Sequence, residues 1–253
     1  MKAESACAPP HDRDSESRGV VFRGLVPFTM VDFPGKLAVT VYAMGCNFRC
    51  PICHNRELAL SLGDGLPKYD VDAVLDAVGG HGGWIEGVCV TGGEPLIQKG
   101  LAAALRRFKD EGLAVKLDTN GSFPDHLEEI LKAGLVDYVA MDVKAALSEE
   151  EYSKSAGVPM KKWLPRVEAS IETIKRSGVD HEFRTICLPG LHTLESIGDI
   201  ARAISPCRRY VLRPFRPMNT LDPEYEKVAS PTPEQMRAFL DAAREHVPGA
   251  VLG

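Results

Sequence analysis

Six stretches of the chain are rich in apolar residues with few polar interruptions: Leu37–Ala43, Gly87–Thr91, Leu113–Thr119, Val136–Val143, Glu182–Leu188 and Tyr210–Phe215. Several are near-continuous runs, as expected of strands buried on both faces of a parallel sheet. The segments between them carry helical periodicity. Val71, Val74, Leu75 and Val78 follow Asp70, a residue suited to an N-cap. Leu101, Leu105 and Phe108 form a second stripe that stops at Gly112, and Leu127, Ile130 and Leu131 a third that stops at Gly134. Val167, Ile171 and Ile174 precede Gly178, and Leu194, Ile197, Ile200 and Ile204 follow Thr193. Thr232-Pro233-Glu234-Gln235 opens the last predicted helix, over 232–247, as a capping box with proline at the first helical position. Alternation of this kind predicts an α/β fold with a parallel sheet and right-handed crossovers. Six strand–helix units fall short of the eight that close a full barrel. The expected architecture is an open, partial (β/α)6 TIM-like barrel, with a doubly wound sheet as the alternative. Either places ligands at the C-terminal ends of the strands.

Composition narrows the class. The 253 residues are 44% hydrophobic, enough for one sizeable core. A net charge of −5 argues against a general nucleic-acid binder. No apolar run approaches the roughly 18–20 residues of a membrane span, and the N-terminus has no apolar signal core. The segment 1–19 reads as a flexible polar leader ahead of one domain over 20–253, in a cytoplasmic protein. The 7 cysteines are an odd number, and three of them crowd into Cys46–Cys53. That is a poor disulfide framework and a good metal or cluster site in a reducing compartment. Cys89, Cys187 and Cys207 read as small core residues, and Cys7 falls in the leader.

Cys46, Cys50 and Cys53 follow the first predicted strand with Cys-x3-Cys-x2-Cys spacing. Iron–sulfur cubanes usually take four thiolates, so three leave one iron open. The competing reading is a structural zinc with His54 as fourth ligand. Its adjacency to Cys53 weighs against that, because zinc ligands are usually separated by two or more residues. Later strand ends carry further polar motifs. Thr91-Gly92-Gly93-Glu94-Pro95 pairs glycines, which let a ligand approach bare backbone, with a carboxylate able to accept from an ammonium group. Leu117-Asp118-Thr119-Asn120-Gly121 clusters oxygen and amide groups, and reads equally as an Asx-type turn. Met141-Asp142-Val143-Lys144 offers an acid and a base, or a plain surface ion pair. Arg184, Arg213 and Arg216 sit on or after the last two predicted strands. An inward arginine there would pair with Glu94 or a ligand carboxylate; the bland reading is a rim salt bridge.

In this order the motifs resemble the radical S-adenosylmethionine superfamily. Val31-Asp32-Phe33-Pro34-Gly35 and Cys53-His54-Asn55 resemble the glycyl-radical-enzyme activases in particular, above all the anaerobic ribonucleoside-triphosphate reductase activating proteins. The resemblance spans about residues 22–223. It implies a [4Fe-4S] cluster on Cys46, Cys50 and Cys53 whose open iron binds S-adenosylmethionine. One electron then cleaves the sulfonium to a 5′-deoxyadenosyl radical that abstracts hydrogen, the cofactor carrying the hard chemistry. It assigns Gly92, Gly93, Glu94 and Pro95 to the methionyl amine. Asp118, Thr119, Asn120 and Asp142 go to the ribose and carboxylate region, with a monovalent cation beside the carboxylate in some relatives and Lys144 as its cationic partner. Ile52 stands where the family usually has an aromatic residue beside the adenine, and keeps an apolar wall. Arg216 stands where better-known activases have a histidine. Asp32 and Gly35 fall where relatives contact the partner's glycine loop, although Phe-Pro-Gly also makes a simple turn. The implied partners are a glycyl-radical enzyme such as anaerobic ribonucleotide reductase and a flavodoxin or ferredoxin donor. Two alternatives stay open: the same radical chemistry on a small molecule or RNA, and a non-catalytic interaction module stabilised by zinc or an iron–sulfur cluster.

Overall fold

Six parallel strands form where the apolar runs fall, with ends within two residues of those expected. In a computed structural model that describes residues 19–62 and 65–253, they are β2 (Ala38–Ala43), β3 (Gly87–Gly92), β4 (Ala114–Thr119), β5 (Tyr138–Asp142), β6 (Asp180–Cys187) and β7 (Tyr210–Pro214). Two more strands flank them. β1 (Leu25–Thr29) runs antiparallel to β2, and β8 (Ala250–Leu252) parallel to β7. Neither has a long apolar run: β1 contains Pro27 and exposes three of its residues, and β8 has three residues in all. The leader expected over 1–19 lies outside the described residues, Gly19 excepted.

The sheet order is β1-β2-β3-β4-β5-β6-β7-β8. A doubly wound sheet needs a point where strand order reverses. This sheet has none, so the partial barrel holds. Among the described residues no ladder joins β8 to β1, and the barrel is open there.

Eight helices occupy the described connections: α1 (Arg56–Ala59), α2 (Val71–Gly79), α3 (Leu101–Asp110), α4 (Pro124–Lys132), α5 (Glu149–Ala156), α6 (Leu164–Ser177), α7 (Leu194–Ile204) and α8 (Pro233–Arg244). The caps expected from sequence are present. Asp70 accepts from the Ala73 amide, and Thr193 and Thr232 form capping boxes with Ser196 and Gln235. α8 ends at Arg244, three residues before the expected 247. α1 and α5 escape periodicity because one is a single turn and the other opens on three glutamates with a weak apolar face.

Strand alternation divides the sheet into two faces. Val39, Val41, Val88, Val90, Val115 and Leu117 pack outward against helix residues such as Val74, Leu105, Leu127 and Ile171, forming the main core. The alternate positions, among them Tyr42, Cys89, Thr91 and Asp118, face a cavity inside the barrel. A second, small apolar cluster of Ile52, Leu188 and Phe215 ties the cysteine loop to the ends of β6 and β7. No helix among the described residues is long and apolar enough to cross a membrane.

Candidate active site

The loop after β2 carries the cysteines, and backbone contacts hold it on several sides. The Gly93 amide donates to Ala43 O at 2.9 Å and the Glu94 amide to Gly45 O at 2.8 Å, stitching the end of β3 to the root of the loop. Gly92 and Gly93 are glycines because of this approach. Gly92 has φ +115°, and a Cβ on Gly93 would stand 2.0 Å from the Gly45 carbonyl oxygen. Further along, the Arg49 amide donates to Ala156 O at 2.8 Å, and a Cβ on Gly157 would stand 1.9 Å from Arg49 O. The Asp222 amide donates to Pro51 O at 2.9 Å, and Asn55 Nδ2 to Gly92 O at 2.8 Å. Asn120 Nδ2 reaches Asn47 Oδ1 at 3.0 Å, and Asn47 Nδ2 reaches Ser122 Oγ at 3.0 Å. A loop fixed at so many points presents its side chains in one arrangement.

Cys46, Cys50 and Cys53 are free thiols that line one cavity of about 380 Å³. Burial pushes the Cys46 thiol up to about 11, against the pull of the Phe48 amide, and raises Cys50 and Cys53 as well. Three half-buried thiols with raised pKa values ionise together only against a cation, so metal binding here releases protons. Donors for sulfur are in place: the Phe48 amide lies 3.4 Å and Asn120 Nδ2 3.7 Å from Cys46 Sγ. Among the described residues no three His, Cys, Asp or Glu side chains converge on a point as donors to a single ion. His54 Nε2 instead lies 3.1 Å from the Arg216 carbonyl oxygen. The His54 ring, the fourth ligand a Cys3His zinc would take, is thus engaged away from the thiols. Cys89 lines the same cavity, but its charged neighbours are Asp118, Lys116, Asp32 and Arg184 rather than the thiol trio.

Beyond the cysteines runs a ladder of alternating charge across β4, β5 and β6. Lys116 Nζ donates to Asp118 Oδ1. Arg184 bridges two acids, with Nη1 3.1 Å from Asp118 Oδ2 and Nε 2.9 Å from Asp142 Oδ1. Lys144 Nζ lies 3.3 Å from Asp142 Oδ2. Burial opposes ionisation of both acids, yet Arg184 and Lys144 hold Asp142 well below the usual carboxylate range, and Arg184 and Lys116 lower Asp118. The inward arginine therefore pairs with these two aspartates and not with Glu94.

Lys144 is fixed through its backbone. Its amide donates to Tyr152 Oη at 3.3 Å, and its carbonyl accepts from Ser155 Oγ at 2.8 Å. His192 Nε2 lies 3.0 Å from the same carbonyl while His192 Nδ1 accepts the Leu188 amide at 3.0 Å. Burial lowers the His192 pKa, so the ring stays neutral with its proton on Nε2.

Glu94 is fully buried behind the glycine pair. Oε1 accepts from the Leu96 amide at 3.1 Å and Thr119 Oγ1 at 2.8 Å, and Oε2 from the Asn120 amide at 2.7 Å. Burial pushes its carboxyl up to about 7 against those three donors. The side chain clamps the end of β3 to the end of β4. Glu94→Gln keeps the shape but turns an acceptor into a donor facing a donor. It is expected to lower unfolding free energy by about 1–2 kcal/mol, read from denaturant midpoints.

Of the residues singled out from sequence, Cys46, Cys50, Ile52, Cys53, Gly92, Gly93, Asp118, Thr119, Asn120, Asp142, Lys144 and Asp32 line the cavity. Asp32 Oδ2 accepts from Thr40 Oγ1 at 2.7 Å. Glu94, Pro95, Arg216 and Gly35 lie outside the lining, and the Arg216 side chain is exposed. The sequence reading missed Lys116 and His192, and took Asn55 only as part of the Cys53-His54-Asn55 motif. A lysine two positions before Asp118 in an otherwise apolar strand was the available signal for the first.

Residues 40–204 match the model of the Radical SAM superfamily, and the chain belongs to that superfamily. Within it the similarity runs to activating enzymes. The chain is 30% identical over 233 residues to the "Putative glycyl-radical enzyme activating enzyme MJ1227" of Methanocaldococcus jannaschii, across 90% of this chain and 94% of that one. It is 29% identical over 210 residues to the pyruvate formate-lyase-activating enzyme of Clostridium pasteurianum, across 79% and 82%. The fold is shared with a radical SAM methyltransferase from Sphaerobacter thermophilus, at TM-score 0.65 and 15% identity over 87% of this chain and 67% of that one.

Proposed function

We propose that this enzyme installs a glycyl radical on a partner protein, with anaerobic ribonucleotide reductase as the acceptor and a flavodoxin or ferredoxin as electron donor. The observation that carries the reading is one cavity bordered both by the three thiols of the β2 loop and by Asp32 of the turn before β2. A [4Fe-4S] cluster with S-adenosylmethionine, when bound, supplies a 5′-deoxyadenosyl radical able to take hydrogen from a glycine α-carbon. Cys46, Cys50 and Cys53 would hold the cluster. Lys144, fixed by Tyr152, Ser155 and His192, offers its ammonium to the methionyl carboxylate. Ile52, backed by Leu188 and Phe215, gives the adenine an apolar wall. Asp32 and the exposed Gly35 lie on one turn, where a glycine loop of the partner would enter.

The test is anaerobic reconstitution of the enzyme with iron and sulfide, followed by dithionite and S-adenosylmethionine, with and without anaerobic ribonucleotide reductase. The expected result is 5′-deoxyadenosine together with a glycyl-radical electron paramagnetic resonance signal on the reductase. Nucleoside formation with no radical on the acceptor would move the substrate to a small molecule or RNA. Colourless protein holding zinc and no iron would favour the interaction module.

A further inference from the structure

The resemblance offers a monovalent cation a seat among Asp118, Thr119 and Asp142, and the side chains of this enzyme do not leave one. Asp118 Oδ1 accepts from Lys116 Nζ, and Asp118 Oδ2 accepts from Thr91 Oγ1 and Arg184 Nη1, each at 3.1 Å. Asp142 gives one oxygen to Arg184 Nε and the other to Lys144 Nζ. Thr119 Oγ1 donates to Glu94 Oε1 and accepts the Gly121 amide at 3.1 Å. An ionised carboxylate has about four lone-pair sites, and those of Asp118 are largely filled. Charge points the same way. Three cations already serve the carboxylates of this end of the cavity, Asp118, Asp142 and, across Cys89, Asp32, so no uncompensated negative charge is left to draw a further cation. Glu182, the next buried acid along β6, adds none either, because Tyr138 Oη at 3.1 Å and Arg209 Nε at 3.2 Å occupy it.

Lys116 is the unusual member of this set. It stands mid-strand in β4, 2% exposed, on the same face as Asp118 two positions on. Its β3 neighbour in register is Cys89, a small residue, and Nζ lies 3.6 Å from Cys89 Sγ. A buried ammonium is retained only where an anion meets it. We infer that the Lys116 ammonium is a built-in replacement for the monovalent cation, neutralising Asp118 beside the carboxylate site, so that this enzyme binds S-adenosylmethionine without potassium or sodium. The inference rests on the radical S-adenosylmethionine reading of the cavity, but its first measurement does not need the cofactor.

That measurement is thallium-205 nuclear magnetic resonance of the anaerobically reconstituted enzyme, with thallous ion as the probe. The wild type is expected to show no saturable site, and Lys116→Met to acquire one. The second measurement is equilibrium binding of S-adenosylmethionine in potassium chloride against tetramethylammonium chloride at equal ionic strength. The wild type is expected to bind equally in both, and Lys116→Met to bind roughly tenfold more tightly in potassium, the worth of one charge-assisted contact. Saturable thallous binding by the wild type, or a tenfold loss of its affinity without potassium, overturns the inference. So does a folded Lys116→Met enzyme indifferent to both ions. Should that variant not fold, Lys116→Gln replaces it, and the wild-type measurements still decide. Failure of S-adenosylmethionine to bind in any salt would count against the proposed function, while the thallous titration would still judge Lys116.

Discussion

Gly93→Ala is expected to lose its cluster and most of its stability together. The new Cβ would stand 2.0 Å from the oxygen and 2.7 Å from the carbon of the Gly45 carbonyl. Both are backbone atoms at the root of the cysteine loop, so no side chain can rotate away. Relief requires parting β3 from the loop, which breaks the Gly93–Ala43 and Glu94–Gly45 hydrogen bonds and moves Cys46 relative to Asn120. A cost of about 3 kcal/mol or more is expected, at the upper end for overpacking. Iron content after anaerobic reconstitution and a urea transition are the two readings. Gly198→Ala is the control, since that glycine lies within α7 and its Cβ would meet nothing within 4 Å. It should load iron normally and gain up to about 1 kcal/mol from helix propensity. Normal iron in Gly93→Ala would show that the loop does not depend on that approach.

This expectation was only half legible in the sequence. The Gly-Gly pair was visible, and its natural reading was room for a ligand against bare backbone. The structure gives the glycines a second duty, as the surface on which the preceding loop rests. A chain of letters shows where side chains are missing but not what fills the space. The same limit hid Gly157, whose contact with Arg49 joins segments more than a hundred residues apart. The six main strands were legible because their outward faces are continuously apolar and their neighbours are sequential. Arg184 was visible as a candidate, but its partners were not. Two residues meet across a sheet by register, and Asp142 opposite Arg184 follows only once β5 and β6 are aligned. Lys116 was overlooked because a lysine inside a strand is ordinarily placed at an edge or on a solvated face.

Register also makes Arg184 the residue whose loss should tell most about the ladder. Arg184→Met keeps the length of the side chain and removes the bridge between two acids on neighbouring strands. Lys116 and Lys144 remain, so each aspartate retains one partner, but the carboxylates now face each other without the shared guanidinium. Breaking a buried ion pair costs about 3–5 kcal/mol. The Asp142 side chain is 34% exposed, and solvent screening places the expected loss at about 2–3 kcal/mol at neutral pH. Its pH dependence has a definite sign. Asp118 and Asp142 are more acidic in the fold than in the unfolded chain. Their contribution is present above the unfolded carboxylate range near pH 3.9 and fades as pH falls through the lower folded values. Arg184→Met gives up part of that contribution, so the gap from the wild type should be widest at pH 7 and narrow steadily below about pH 4. Urea transitions of both proteins across that range measure it. A gap that stays constant into acid would mean that Arg184 stabilises the barrel through packing of its stem and not through the charge it shares between the two aspartates.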